Sequence, residues 1–124
     1  GARQDAKEYI YASDLLILPS LAEAMPIVIL EAMALKTPVI ASNVDGISEL
    51  IDNDKSGLLF SPLELDSFVE AFTHILSNPS KAMQYSNNAF EKYWSCFSIN
   101  NQIRKYNEFL KEVLIANNAN NYLN

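Results

Sequence analysis

Two carboxylates stand eight positions apart in the stretch SLAEAMPIVILEAMALKTPVIAS, residues 20–42: Glu23 and Glu31. Between them lies an apolar run opened by Pro26. A carboxylate can accept two hydrogen bonds from a vicinal diol such as a ribose, and bonds to an ionised acceptor are the strong ones. The N–H groups of Ala24, Met25 and Ile27 fall where a helix would begin, and such groups have no partner within the helix. The helix dipole adds partial positive charge there, which attracts phosphate. The constellation fits one ligand that joins a phosphate, a sugar and a second hydroxylated ring. Glutamates at this spacing also occur as solvated surface charges. Val28, Ile29 and Leu30 count against that here, because they bring Glu31 next to buried surface.

Those side chains need a strand, a loop and a helix to hold them. The pattern predicts a helix over 5–13, then a strand in LLILPS (15–20) stopped by Pro19 and Ser20. A helix follows over 26–35; proline suits its first turn, because the N–H that it lacks would be unpaired there anyway. PVIAS (38–42) reads as a second strand, 46–52 as a short helix and GLLF (57–60) as a third strand. Residues 63–76 are amphipathic, with Leu65, Phe68, Val69, Phe72, Ile75 and Leu76 at helical spacing. Asn78-Pro79 breaks that helix, and two more are expected over 80–94 and 100–115. The asparagine-rich end is expected to fray. Strands that are apolar throughout and separated by helices mean a parallel sheet covered on both faces. Three short strands are few for so many helices. The expected fold class is α/β, a partial Rossmann-like parallel sheet, the second half of a doubly wound domain, with C-terminal helices. Ligands of such sheets bind beyond the carboxyl ends of the strands.

Composition narrows the partners. The 124 residues make one small domain or part of a larger one, and about half are apolar, enough for a core. The net charge of −6 argues against nucleic acid and against an anionic membrane surface. The single cysteine, Cys96, excludes an internal disulfide framework or a cysteine zinc site and suits a reducing compartment. No apolar stretch reaches the ~18 residues of a membrane span, and no signal-peptide pattern is present. The sequence opens at Gly1 without an initiator methionine, so a piece of a longer chain is expected. His74, the only histidine, cannot build a zinc site alone, and no metal is expected. Trp94 and Phe97 are expected to pack the C-terminal helices, and Lys36 to be the solvated end of its helix. There is no phosphate loop, Gly-x-Ser-x-Gly or Cys-x-x-Cys.

The wording from residue 12 to 62 closely resembles the C-terminal domain of the GT-B glycosyltransferases that use nucleotide sugars and mostly retain anomeric configuration, the Glu-x7-Glu or group 1 family. That family has an aspartate before an apolar strand ending in Pro-Ser, then Glu-x7-Glu leading into Glu-Ala-Met-Ala, Thr-Pro-Val-Ile-Ala, a Gly-Gly-x-Pro-Glu turn and Gly-Leu-Leu. The matches are Asp14, Pro19-Ser20, Glu23, Glu31-Ala32-Met33-Ala34, Thr37-Pro38-Val39-Ile40-Ala41, Gly46, Glu49 and Gly57-Leu58-Leu59. Gly1 and Asp5 fit the family's Gly-x-x-x-Asp entry to this region.

The resemblance implies a transferase that moves a sugar from a nucleotide-diphosphate sugar to a glycan or lipid-linked acceptor, with no cofactor beyond that donor. Glu31 would bind the nucleotide ribose. Glu23, the implied catalytic residue, would lie against the transferred sugar and the positive charge that develops at its anomeric carbon. The amides of Ala24, Met25 and Ile27 would meet the sugar and diphosphate. Front-face attack and a covalent intermediate both stay open. Two departures stand out. The family's Glu-Gly-Phe-Gly turn is Glu23-Ala24-Met25-Pro26 here, and Asp45 replaces the first glycine of the Gly-Gly turn.

By the same resemblance, residues 1–78 are a donor-binding half-domain, 79–116 are helices that pack on it and cross toward an N-terminal acceptor domain, and 117–124 are a frayed tail. The acceptor domain, the first strands and the basic pair that neutralises the diphosphate all precede this stretch in the family. Weak donor binding and no turnover are therefore expected of this chain alone. The expected location is cytoplasmic, peripheral to a membrane through that missing domain. Exposed apolar positions at 103, 106, 109, 110, 113 and 114 are expected to drive self-association. A non-catalytic interaction module, or a GT-B relative such as a sugar-nucleotide epimerase or phosphorylase, is the alternative.

Overall fold

A computed structural model describes residues 3–121. Gly1 and the last three residues lie outside that range, so the fit of Gly1 to the family's entry motif is not addressed. Three parallel strands, β1 (Leu16–Leu18), β2 (Val39–Ser42) and β3 (Leu58–Phe60), lie in the order β1-β2-β3. The register sets Ile17 opposite Ile40 and Ala41 opposite Leu59. Helices α1 (Ala6–Ala12), α2 (Ile27–Leu35) and α3 (Asp45–Leu50) alternate with the strands, and α4 (Leu65–Ser77), α5 (Pro79–Lys92) and α6 (Ile99–Asn121) follow. The α/β class and its small parallel sheet are as the apolar runs predict.

β2 is buried along its whole length, because it is the central strand and both its faces are covered. Val39 and Ala41 join Ile29, Ala32 and Met33 of α2 and Ile47 and Leu50 of α3 in one core. Ile40, Leu58 and Phe60 face the other way, toward Ile75 of α4 and Tyr85 of α5. On that side the Phe68 ring meets Phe60 edge-on at 5.1 Å. Helix α5 serves both cores, with Tyr85 in one and Ala89 in the other. Lys92 at its end donates to the Glu49 carbonyl at 3.2 Å and to the Asp52 carboxylate at 2.9 Å.

Several boundaries depart from expectation. Pro26 is the N-cap of α2, extended at φ −73°, ψ 111°, so the helix opens one residue later. Asp45 is inside α3, which ends at Leu50. Residue 79 begins α5, with only Asn78 separating it from α4, again because a proline gives up no bond at the first helical position. After Lys92 the chain forms a five-residue π-helical turn, Tyr93–Phe97, whose Tyr93 carbonyl accepts the Ser98 N–H at 2.9 Å. Phe97 packs against the first core from that turn, while Trp94 stays half exposed against the rings of Phe90 and Tyr93. Lys36 is more than a solvated helix end, for it takes a left-handed φ of 58° and its ammonium lies 4.6 Å from the centre of the Phe90 ring. His74 is exposed on α4. The asparagine-rich tail, expected to fray from 117, is helical as far as Asn121. No glycine or proline interrupts that stretch, and each added residue extends a helix at the gain of one hydrogen bond.

Candidate functional site

The carboxyl ends of β1 and β2 each release a loop, and the two loops meet. Residues 19–26 lead from β1 to α2, and Asn43 and Val44 lead from β2 to α3. The Gly46 N–H donates to the Glu23 carbonyl at 3.1 Å. Contact is so close that a Cβ on Gly46 would lie 1.7 Å from the Ala24 carbonyl oxygen. The Glu23 side chain is partly buried, and its Oε1 accepts the Ser20 hydroxyl at 2.7 Å.

A hollow of 550 Å³ lies between these loops. Leu21, Ala22, Glu23 and Ala24 form one wall and Asn43, Val44 and Asp45 the other. Two acidic residues line it, and among the described residues no lysine or arginine does. Glu31 lies one flank away, in a groove of 480 Å³ that also takes in Ile27, Leu30 and Lys7. Its Oε1 is 3.8 Å from Lys7 Nζ. An ion pair at this distance, with Lys7 largely exposed, is worth only about 0–1 kcal/mol, so it leaves the Glu31 carboxylate available to a stronger partner.

Sequence reasoning placed Glu23, Ala24, Met25, Ile27 and Glu31 together. They divide between two neighbouring hollows, Glu23 and Ala24 in one and Ile27 and Glu31 in the other, with the exposed Met25 in the loop between. The N–H groups of Ala24, Met25 and Ile27 find no hydrogen-bond acceptor among the described residues. Asp5 stands at the start of α1, where Arg3 holds it by two bonds of 2.8 Å and keeps its carboxyl below the usual range.

The model of the family described as "Glycosyl transferases group 1" matches residues 1–92. The chain belongs to the group 1 glycosyltransferases. It is 31% identical over 115 residues to an Escherichia coli UDP-Gal:alpha-D-GlcNAc-diphosphoundecaprenol alpha-1,3-galactosyltransferase, a match that covers 93% of this chain and 30% of that enzyme. It is 42% identical over 67 residues to the putative teichuronic acid biosynthesis glycosyltransferase TuaC of Bacillus subtilis, covering 54% of this chain and 17% of TuaC. Among solved structures, it superposes on Anabaena Alr3699/HepE in complex with UDP-glucose with a TM-score of 0.81 at 26% identity, over 90% of this chain and 31% of that one. A glycosyltransferase from Rickettsia africae ESF-5 gives 0.83 at 29% identity, over 92% and 31%. The chain thus spans about a third or less of these relatives.

In this member of the group 1 family, three residues that border the two hollows were not predicted as site residues from sequence. Lys7 is 24 positions from Glu31, and nothing local announces the pairing. Asn43 reaches the hollow only because two loops meet. Ser20 is three positions from Glu23, near enough for the direct side-chain bond that the loop makes. Among the described residues no helix is long and apolar enough to cross a membrane.

Proposed function

We propose that this chain is the donor-binding part of a glycosyltransferase that moves a sugar from a nucleotide-diphosphate sugar to a glycan or lipid-linked acceptor with retention of configuration. The observation that carries the reading is the unpaired start of α2, set between a carboxylate hollow and a second hollow that holds Glu31. The likeness to a protein whose structure holds UDP-glucose supports it. Glu31 receives the ribose diol. The amides of Ala24, Met25 and Ile27 receive the diphosphate and the inner edge of the sugar, since unpaired N–H groups at a helix start favour anionic oxygen. The transferred sugar then falls in the hollow of Glu23. As the bond to the diphosphate lengthens, positive charge gathers at the anomeric carbon. A fixed carboxylate beside it stabilises that charge more than it stabilises the neutral substrate, which is what lowers a barrier.

The remaining parts belong to the rest of the enzyme. The hollow lined by Glu23 has no basic side chain in its walls, so the diphosphate needs cations from elsewhere in the complete chain. A preceding domain would supply them together with the acceptor site. It would also carry the enzyme, from the cytoplasm, to a membrane-bound acceptor.

Steady-state kinetics of the complete enzyme with varied donor test the reading. Glu31→Ala should weaken donor binding by about 1–3 kcal/mol, the loss expected for hydrogen bonds to a charged group. Glu23→Gln should lower kcat far more than it changes the donor KM. Unchanged kinetics in both variants would overturn the assignment of Glu23 and Glu31 to the site.

A further inference from the structure

Glu23 sits in an eight-residue loop, residues 19–26, and a carboxylate in a loop is held only by what its neighbours supply. Two bonds hold this one. From three positions earlier in the same loop, Ser20 Oγ donates to Glu23 Oε1 at 2.7 Å. From the first turn of α3, the Gly46 N–H donates to the Glu23 main-chain carbonyl at 3.1 Å. One bond restrains the side chain and the other the backbone that carries it.

We propose that Ser20 and Gly46 are positioning residues for the reaction, a two-point brace that presents the Glu23 carboxylate to the hollow between the loops. The inference rests on the catalytic reading of Glu23. The chemistry of the brace is one-sided. The serine hydroxyl occupies Oε1 and leaves Oε2 for the ligand. A carboxylate restrained in this way needs no reorganisation when charge develops beside it, and preorganised charge is what makes electrostatic stabilisation effective.

Gly46 performs its part because it has no side chain. The Ala24 carbonyl oxygen, the Ala24 carbonyl carbon and the Glu23 carbonyl oxygen would lie 1.7, 2.3 and 2.6 Å from a Cβ at this position. All three are backbone atoms of the Glu23 loop, so any side chain must push that loop off α3. The glycine here serves the approach of two protein loops. Its N–H is already spent on Glu23, so that amide is not free for a donor phosphate.

The test uses the complete enzyme with Ser20→Ala, Ser20→Thr, Gly46→Ala, Glu23→Gln and the double variant Ser20→Ala/Glu23→Gln. Ser20→Ala should lower kcat about 10- to 100-fold, the size of effect that a misplaced catalytic group produces, with little change in donor KM. Ser20→Thr keeps a hydroxyl and should recover most of the rate. Adding Ser20→Ala to Glu23→Gln should cost nothing further, because residues acting through one group are not additive. Gly46→Ala should show the same kcat loss if it folds, as judged by circular dichroism, and the serine series decides the matter if it does not. The proposal is overturned if Ser20→Ala keeps full kcat while Glu23→Gln loses it. It is also overturned if the serine loss is undiminished in the Glu23→Gln background. A Glu23→Gln enzyme of normal kcat would instead remove the catalytic reading on which the brace depends.

Discussion

Asp45 is the residue whose side chain most changes the character of the hollow. It lies in the first turn of α3, where the helix dipole favours a negative charge, and it faces Glu23 across the loops. A neutral sugar can donate hydroxyls to both carboxylates. A uronate brings a third negative charge into a space with none to balance it among its walls, and like charges brought together at an interface disfavour the wrong partner strongly. We therefore expect the complete enzyme to prefer UDP-glucose to UDP-glucuronate, and Asp45→Asn to shrink the ratio of the two kcat/KM values by about tenfold. Measuring that ratio in both proteins decides it; a ratio that the substitution leaves unchanged would place Asp45 away from the sugar. Glu23 and Glu31 stood out in sequence through their spacing together with the wording that resembles the family, and the structure sets one in the loop before α2 and the other on α2. Lys7, Asn43 and the far wall at Asp45 were less so, since their nearness depends on loops from different strands meeting in space.

The strands could be read at the level of elements because burial on both faces makes them apolar throughout, and the long helices because a buried face recurs at helical spacing. What could not be read were the junctions. The switch from α5 to the π-helical turn at Tyr93 follows from Tyr93 and Phe97 reaching the core beside α2, a tertiary demand with no local signature. The turn before β3 is similar. Asp54 there adopts a left-handed φ of 58° and accepts a hydrogen bond from the Tyr85 hydroxyl of α5. Tyr85 is 1% exposed, and burial, reinforced by the Asp54 carboxylate, pushes its phenol up to about 12. Tyr85→Phe should destabilise the fold by about 1–3 kcal/mol, the worth of a bond to a charged acceptor. A phenol pKa raised above its ordinary ~10 means the native state holds the proton longer than the unfolded chain does. That stability is present below pH ~10 and is lost as pH climbs toward 12. The gap between wild type and Tyr85→Phe should therefore hold up to pH ~10 and narrow above it, toward pH 12, in urea titrations. A gap that stays constant would show that the phenol contributes no proton linkage.

At the scale of the whole molecule, the sheet and α6 stand in contrast. The sheet is covered on both faces, whereas α6 packs chiefly on the π-helical turn and leaves its apolar stripe in water. Tyr106 is 63% exposed, Phe109 58% and Leu114 62%, and Ile103, Leu110 and Val113 are exposed beside them. A contiguous apolar surface of this kind is favourable to remove from water, and monomeric proteins seldom display one without a use. In the complete enzyme the proposed use is packing on the preceding domain, where the resemblance has this helix cross. Without that cover, the cheapest way to bury the stripe is against another copy of itself. The chain studied alone should therefore show an average mass that rises with concentration in light scattering. Phe109→Glu sets a charge in the middle of the stripe and should hold the protein monomeric over the same range. β1 offers a second route, since its outer edge carries no strand among the described residues, and unpaired edges also template association. The variant separates the two: association that survives Phe109→Glu belongs to the sheet edge. A wild-type chain that stays monomeric at every concentration would mean that the stripe does not drive association, and the crossing of α6 to another domain would lose its physical motive.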